Sequence, residues 1–225
     1  MHLPAIMEAV RSLAWQVSDL LMAYFHSSQD LQISSKGPLD GDVTAADLAA
    51  NQLILTTLKT QFADAPFSYR SEEDIQPPMP VGEWTWVIDP LDGTSAFIRR
   101  TSEFAVHLAL TYRDRPVLSL VARPAHGELY TAIVQTGAYR ETRTHPPQRL
   151  TTSSRRADAE LIAITSRSHR NPELERLIAA LPHGEDRQIS SMGGKLVAIA
   201  AGEADYFLSV SQNSAAKDWD FCALN

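Results

Sequence analysis

The stretch that most constrains this chain covers residues 84–100 and reads WTWVIDPLDGTSAFIRR. Its first five residues are apolar or β-branched and stop at an Asp-Pro pair, which predicts a buried strand that ends in a turn. Asp92 stands three positions after Asp89. Residues 93–95 then begin a short helix whose free N–H groups can hold phosphate oxygens. Because carboxylates repel phosphate, the pattern favours a phosphate site in which divalent cations lie between the two groups.

Composition narrows the class of protein. The chain has 225 residues, of which 44% are hydrophobic, and a formal net charge of −7. This charge disfavours binding to a nucleic acid polymer, which requires a basic face, but metal ions can still recruit a small anionic substrate. A single cysteine, Cys222, excludes an internal disulfide and Cys-based zinc clusters. Because the sequence shows no export signal and no apolar stretch of membrane-spanning length, we expect a cytoplasmic protein with no membrane partner; a homodimer is left open.

Hydrophobic periodicity and turn residues divide the chain into two halves. In the first half they predict a helix over residues 4–25, a loop over residues 29–42 and a second helix after Thr44. The strands predicted there cover residues 67–71, 84–88, 103–112, 116–122 and 128–134. Beyond a boundary stretch at 142–149, the predicted order is strand 161–165, helix 172–181, strand 188–190, helix 195–201 and strand 205–210. We therefore predict an N-terminal α+β domain with an antiparallel sheet in residues 1–146 and a mixed α/β domain in residues 147–225.

Four short motifs occur together in this chain: DVTAAD at residues 42–47, SEED at 71–74, DPLDGT at 89–94 and Trp-Asp at 219–220. In this combination and order the chain resembles the magnesium-dependent, lithium-sensitive inositol monophosphatase superfamily. The resemblance covers nearly the whole chain and implies a layered α-β-α-β-α sandwich. Members of that family continue with more helix and strand after the Trp-Asp motif, so the resemblance also implies a C-terminally incomplete fold.

The resemblance implies hydrolysis of a phosphate monoester with about two or three Mg²⁺ ions per active site. It implies that Asp89 bridges two of the ions. Glu72 and the main-chain carbonyl of Leu91 would complete the first metal position. Asp92 and Asp220 would complete the second. The seven histidines form no pair at metal-ligand spacing, which disfavours a zinc hydrolase.

Two further residues would act on the attacking water. The resemblance implies that Thr94 hydrogen-bonds this water, with Asp47 behind it as an orienting or proton-accepting partner. Asp47 also follows Thr44 at the spacing of a helix-capping pair, so capping alone could explain it. Glu72 and Glu73 are adjacent on an extended segment, so only one is expected to face the site, and the family pattern selects the first.

Substrate class depends on residues around the phosphate position. The run Ser-Arg-Ser-His at 166–169 is common in the 3'(2'),5'-bisphosphate nucleotidase branch of the family, and the resemblance places residues 190–195 beside the substrate. The residues expected to contact substrate are Gly93, Thr94, Ser95, Ser166, Ser168, His169 and Lys195. The favoured hypothesis is a nucleotidase that removes the 3'-phosphate of adenosine 3',5'-bisphosphate, with 3'-phosphoadenylyl sulfate as a related substrate. A phosphatase of inositol or sugar monophosphates, and an inactive remnant that binds metal or nucleotide, are the alternatives.

Overall fold

The computed structural model describes residues 1–28, 30–37, 41–73, 82–168, 170–210 and 217–224, without the side chains of Phe221 and Leu224. The expected substrate residue His169 lies outside the described residues.

The helices and strands follow one another in this order. The first part contains α1 (Leu3–His26), β1 (Ser34–Gly37), β2 (Gly41–Val43), α2 (Ala45–Gln61), β3 (Phe67–Ser71), β4 (Trp84–Asp92) and α3 (Thr94–Ile98). The chain continues with β5 (Ala105–Tyr112), β6 (Arg115–Arg123), β7 (Glu128–Ile133), β8 (Gly137–Thr142) and β9 (Gln148–Arg149). The last part contains β10 (Ile162–Ser166), α4 (Pro172–Ala180), β11 (Glu185–Ile189), α5 (Met192–Ala200), β12 (Tyr206–Phe207) and α6 (Asp218–Phe221).

A seven-stranded sheet, counted over the described residues, has the order β3-β4-β5-β6-β7-β8-β9. Its neighbouring strands are antiparallel except for β3 and β4, which run parallel with Ser71 opposite Ile88. Glu72 follows Ser71 and Asp89 follows Ile88, so both acids lie at the same end of this parallel strand pair. This parallel pairing is the reason why two acids distant in sequence meet.

A smaller sheet in the described part of the second half has the order β11-β10-β12, with both pairs parallel. Strands β11 and β12 lie on opposite sides of β10, so the crossover from β10 to β11 and the crossover from β11 to β12 run in opposite directions across the sheet. Because right-handed crossovers are the rule, α4 and α5 lie on opposite faces. Helix α5 packs between the sheets, with Val197 in a cluster with Val87 of the large sheet and Ala198 beside Ile164 of the small one. Helices α1 and α2 cover the other face of the large sheet. The resulting α-β-α-β-α order confirms the predicted fold class.

Local predictions differ from the structure in several places. Strand β8 was not predicted, and β11 covers Glu185–Ile189 rather than 188–190. Residues 29–42 were expected to be a loop, but β1 and β2 pair there as an antiparallel hairpin. The hairpin is mostly exposed, so it lacks the apolar alternation that signals a strand. Strand β4 continues through the Asp-Pro turn signal to Asp92, because a bulge accommodates Pro90 where no ladder N–H is needed. In the second half, β12 covers only Tyr206–Phe207 rather than 205–210.

The stretch 142–149 contains strand as well as loop. Strand β9 pairs with β8, with Tyr139 opposite Arg149, so the large sheet extends to residue 149. The predicted boundary between residues 146 and 147 stays a prediction.

Asp205 joins the start of β10 to the loop before it. Its carboxylate accepts hydrogen bonds from the Ser153 hydroxyl, from Arg155 Nε at 2.8 Å and from Ile162 N at 2.7 Å. Burial opposes ionisation, but these donors lower the pKa of Asp205 to about 2. The cluster therefore stabilises the folded state only while this carboxylate is ionised.

We expect Asp205→Asn to lower the free energy of unfolding at neutral pH by about 1–3 kcal/mol, the usual cost of breaking a hydrogen-bonded charge. Since the folded pKa lies below the ordinary value of about 3.9, the contribution is complete above that pH and is lost as pH falls towards 2. Denaturant titrations at several pH values measure the difference. Equal stability of variant and wild type at neutral pH would contradict this assignment.

Candidate active site

Asp89 lies at the end of β4 among other acids. Leu91 N donates to Asp89 Oδ1 at 3.0 Å, so the Asp-Pro-Leu segment turns back on this carboxylate. The residue is 2% exposed. Burial raises the pKa of Asp89 well above its usual range, and the charges of Glu72, Asp92 and Asp220 raise it further. This surrounding charge favours a bound cation.

Asp92 is held by donors from the second half of the chain. Its Oδ1 accepts from Met192 N at 3.0 Å and its Oδ2 from Gly193 N at 2.7 Å. Both N–H groups belong to the first turn of α5, where a helix has no internal acceptors for them. His107 Nε2 lies 3.2 Å from the same Oδ2. Burial opposes ionisation, but His107 and these N–H groups lower the pKa of Asp92 below its usual value.

Glu72 and Glu73 both contact Lys36, a residue of β1. Lys36 Nζ lies 2.9 Å from Glu72 Oε1 and 2.5 Å from Glu73 Oε1. Both acids can contact the same lysine because β3 ends at Ser71 and a turn follows. The expectation that only Glu72 faces the metal position stays a prediction. Burial raises the pKa of Glu73 to about 7. Lys36 therefore supplies a positive charge beside the expected first metal position.

Asp47 caps α2 and also reaches Thr94. Asp47 Oδ2 accepts from Thr44 N at 2.9 Å and from Thr44 Oγ1 at 2.6 Å. Thr94 Oγ1 lies 3.0 Å from Asp47 Oδ1 and 3.2 Å from the Leu91 carbonyl oxygen. Since both neighbours of the Thr94 hydroxyl are acceptors, its proton is directed at them and its oxygen can accept a hydrogen bond from water. Burial raises the pKa of Asp47, against the effect of the threonine donors.

Asp220 is carried by the short helix α6. Its Oδ2 accepts from Lys217 N at 2.6 Å. Burial raises its pKa, and the charge of Asp92 adds to this effect. Arg70 of β3 forms an exposed ion pair with Asp218, and its guanidinium carbon lies 5.5 Å from the centroid of the Trp219 ring, so the pair contributes little to the position of α6.

The expected substrate residues of the first half lie at the start of α3. Gly93 has φ of +90°, and a Cβ there would lie 2.9 Å from the Glu103 carbonyl oxygen, so the turn requires glycine. Ser95 is exposed and accepts a hydrogen bond from Arg99. Arg100 donates to carbonyl groups at the end of α1 and so caps that helix.

The expected substrate residues of the second half lie in two places. Ser166 is buried at the end of β10, whereas Ser168 is exposed. Lys195 is 3% exposed and donates from Nζ to the Ser190 carbonyl at 3.0 Å. Burial lowers the pKa of Lys195, although Asp92 and other nearby acids oppose the shift. The lysine is therefore an interior cation close to the acid cluster.

Sequence reasoning missed Glu103, which connects the two halves. Its Oε2 accepts from Ser190 N at 2.9 Å and from Ser190 Oγ at 2.6 Å. Arg167 Nε and Nη2 donate to its two oxygens at 3.1 Å and 2.8 Å. His107, an isolated histidine in the buried strand β5, was also missed. The sequence signals were weak: Glu103 is a titratable residue next to an apolar run, and His107 is a titratable residue inside one.

Within the described ranges, no three His, Cys, Asp or Glu side chains already lie close enough together to enclose a metal ion. Asp89 is nevertheless influenced by the charges of Glu72, Asp92 and Asp220. Carboxylates together with a main-chain carbonyl are the hard oxygen ligands that Mg²⁺ binds. The chemistry of the donor set therefore fits Mg²⁺, although enclosing the ion would require these side chains to move closer together.

Comparison with known proteins matches residues 3–225 to the model of the inositol monophosphatase family. The chain belongs to this family. This inositol monophosphatase family member is 34% identical over 223 residues to 3'(2'),5'-bisphosphate nucleotidase CysQ of Salmonella typhimurium, covering 97% of this chain and 85% of that protein. It is 31% identical over 209 residues to inositol-1-monophosphatase of Rhizobium meliloti, covering 90% of this chain and 76% of that protein. The crystal structure of CysQ from Bacteroides thetaiotaomicron has a TM-score of 0.74 at 28% identity, covering 96% of this chain and 82% of that one.

These comparisons confirm the family expected from the motifs and its fold. Membership of the inositol monophosphatase family assigns the chain to the phosphoric monoester hydrolases. No helix in the described part of this family member is both long enough and apolar enough to cross a bilayer.

Proposed function

We propose that the chain is a cytoplasmic, Mg²⁺-dependent 3'(2'),5'-bisphosphate nucleotidase that converts adenosine 3',5'-bisphosphate to AMP and phosphate. 3'-Phosphoadenylyl sulfate is a related substrate, which links the activity to sulfur metabolism. The observation that carries the proposal is the burial of Asp89 among Glu72, Asp92 and Asp220, which raises its pKa and favours a cation. The 34% identity to a CysQ nucleotidase supports the choice of substrate class.

In this proposal Glu72, Asp89 and the Leu91 carbonyl would hold one Mg²⁺ ion. Asp92 and Asp220 would hold a second, with Asp89 as the ligand common to both. Bound Mg²⁺ would supply Lewis acidity that promotes ionisation of water and neutralises charge on the leaving oxygen.

The chain's own residues would orient the attacking water. Thr94 Oγ1 donates its proton to Asp47 Oδ1 across 3.0 Å, so the Thr94 oxygen presents a lone pair to a water hydrogen. Because Asp47 is itself held by both donors of Thr44, the pair is pre-organised before substrate binds. No covalent phosphoenzyme is needed.

The second half of the chain would bind the remainder of the substrate. Lys195 is an interior cation near Asp92, and Arg167 is held beside Ser190 through Glu103. A bisphosphate carries a second anionic group that these cations can attract, whereas an inositol monophosphate does not. The positive charge of these side chains favours the nucleotidase. The alternative, a phosphatase of inositol or sugar monophosphates, is supported by the similarity to the Rhizobium inositol-1-monophosphatase.

Phosphate release from adenosine 3',5'-bisphosphate, AMP and inositol 1-phosphate, measured side by side, tests the proposal. We expect the highest kcat/KM for the bisphosphate, no activity without Mg²⁺, and inhibition by Li⁺, which can replace a loosely held ion between Asp92 and Asp220. A preference for the inositol ester would favour the alternative substrate class. Activity that persists in excess chelator would contradict the two-metal assignment, and no release from any ester with metal bound would favour the inactive remnant.

A further inference from the structure

His107 lies between two segments that carry expected metal ligands. Its side chain is fully buried in β5, a strand in which seven of the eight residues are buried. His107 Nδ1 donates to the Trp219 carbonyl oxygen at 3.1 Å, while Nε2 lies 3.2 Å from Asp92 Oδ2. One ring therefore contacts the Asp92 carboxylate and the backbone directly before Asp220.

The ring is also closely packed against the start of α5. A Cβ at position 193 would lie 2.3 Å from His107 Nε2 and 3.0 Å from the Ala105 side chain, so only glycine leaves room for it. Gly193 in turn donates its N–H to Asp92. The imidazole thus occupies a defined space among β5, α5 and α6.

The contacts of His107 with Asp92 and with the Trp219 carbonyl are not equally important for the two acids. Asp92 is already oriented by the N–H groups of Met192 and Gly193, so it has support without the histidine. Asp220 belongs to a helix of four residues, and its carboxylate accepts a hydrogen bond from the N–H of Lys217, the N-cap of the same helix. The position of Asp220 therefore depends on what holds the α6 backbone. The contact there directly before Asp220 is the one between the buried His107 ring and the Trp219 carbonyl, while Ser119 Oγ donates to the Cys222 carbonyl further along at 3.4 Å.

We infer that His107 is a positioning residue for the second metal position, where it sets the placement of Asp220 relative to Asp92. This inference rests on the proposed two-metal function. It assigns His107 no contact with substrate or ion. Loss of its ring nitrogens would affect the ion between Asp92 and Asp220 and leave the ion at Glu72 largely unchanged.

The test measures Mn²⁺ binding without substrate, by the electron paramagnetic resonance signal of free Mn²⁺, for the wild type, His107→Phe and His107→Gln. Mn²⁺ takes the oxygen ligands of Mg²⁺ sites, and residues behind metal ligands typically contribute about 10–100-fold in affinity. We expect one site of His107→Phe to weaken by about that factor while another keeps its affinity. His107→Gln, which keeps a donor, should fall between this variant and the wild type, and it provides the answer if His107→Phe fails to fold.

Thr111→Val is the matched control. Thr111 lies on the same face of β5, is buried, and donates to the Thr85 carbonyl at 3.1 Å away from the acids. This variant should lose stability but bind Mn²⁺ as the wild type does. Unchanged Mn²⁺ binding in both His107 variants, or equal weakening of every site, would overturn the inference.

The Mn²⁺ measurement also tests the role of His107 independently of the proposed nucleotidase function. Selective loss of one site in a chain that hydrolyses none of the three esters would support the role of His107 and contradict the nucleotidase. If the wild type releases phosphate but the His107 variants bind metal normally, the inference fails and the proposed function stands. If the wild type binds no Mn²⁺, both are overturned.

Discussion

Asp89→Asn is expected to remove nearly all phosphate release, by about 10³-fold or more, or about 4 kcal/mol of transition-state stabilisation. Asp89 is the proposed ligand of both ions and is 2% exposed. An asparagine keeps the size of the side chain and can still accept the hydrogen bond from Leu91 N, but it lacks the negative charge.

The same change should not weaken the fold. Because the pKa of Asp89 is raised in the folded protein, its ionised form is disfavoured by burial and neighbouring acids at neutral pH. Removing the charge relieves this repulsion, so the melting temperature of Asp89→Asn in chelator should equal or exceed that of the wild type.

Steady-state phosphate release at saturating Mg²⁺, with melting curves in chelator, measures both effects. Asp218→Asn is the control, since Asp218 lies in α6 beside the site but is exposed and paired with Arg70. That variant should keep its turnover. Near-normal turnover of Asp89→Asn would mean that the central motif has been misinterpreted.

Thr94→Ala and Asp47→Asn are each expected to reduce turnover by about 10²–10⁴-fold, the usual contribution of assistance to an attacking nucleophile. Thr94 Oγ1 and Asp47 Oδ1 lie 3.0 Å apart, so either change breaks the same contact. The proposed metal ligands are untouched, and Mg²⁺ half-saturation should change little.

The double variant distinguishes a shared task from two separate ones. If both residues act on one water, Thr94→Ala combined with Asp47→Asn should resemble the worse single variant. Losses that multiply would show that the residues act independently.

Capping is tested by a separate control. Asp47→Asn keeps an oxygen that can accept from Thr44 N, so its melting temperature should barely move. Thr44→Ala removes the N-cap side chain of α2 and one of its two hydrogen bonds to Asp47, but it keeps the Thr44 N–H bond and the Thr94 contact. It should cost about 0.5–2 kcal/mol of stability, with a much smaller loss of turnover than Asp47→Asn. An Asp47→Asn variant that unfolds readily and turns over normally would show that Asp47 is only a cap.

Several structural features were predictable because their signals are local. Helix α1 follows from its apolar periodicity, and the Thr44–Asp47 capping pair follows from a three-residue spacing. The buried strand that ends in DPLDGT follows from β-branched and aromatic residues next to Asp-Pro. Such signals depend on residues within one or two turns of each other.

Other features depend on distant partners. The β1–β2 hairpin is defined by pairing between two short strands, and Glu103 is defined by donors 64 and 87 residues further along the chain. His107 reads as an ordinary core residue until α6 lies against β5, because its partner Trp219 is 112 residues away. No spacing rule reaches over such separations.

The sequence by itself determined the family and the layered fold, and it selected the acids at residues 72, 89, 92 and 220 as the proposed metal ligands, because those follow from short motifs in a fixed order. Only the tertiary structure decided what surrounds each acid. Parallel pairing of β3 with β4 places Glu72 level with Asp89, and the α5 N-terminus meets Asp92. Charge environment and hydrogen-bond geometry depend on distances of a few ångströms between segments far apart in the chain, and packing alone sets those distances.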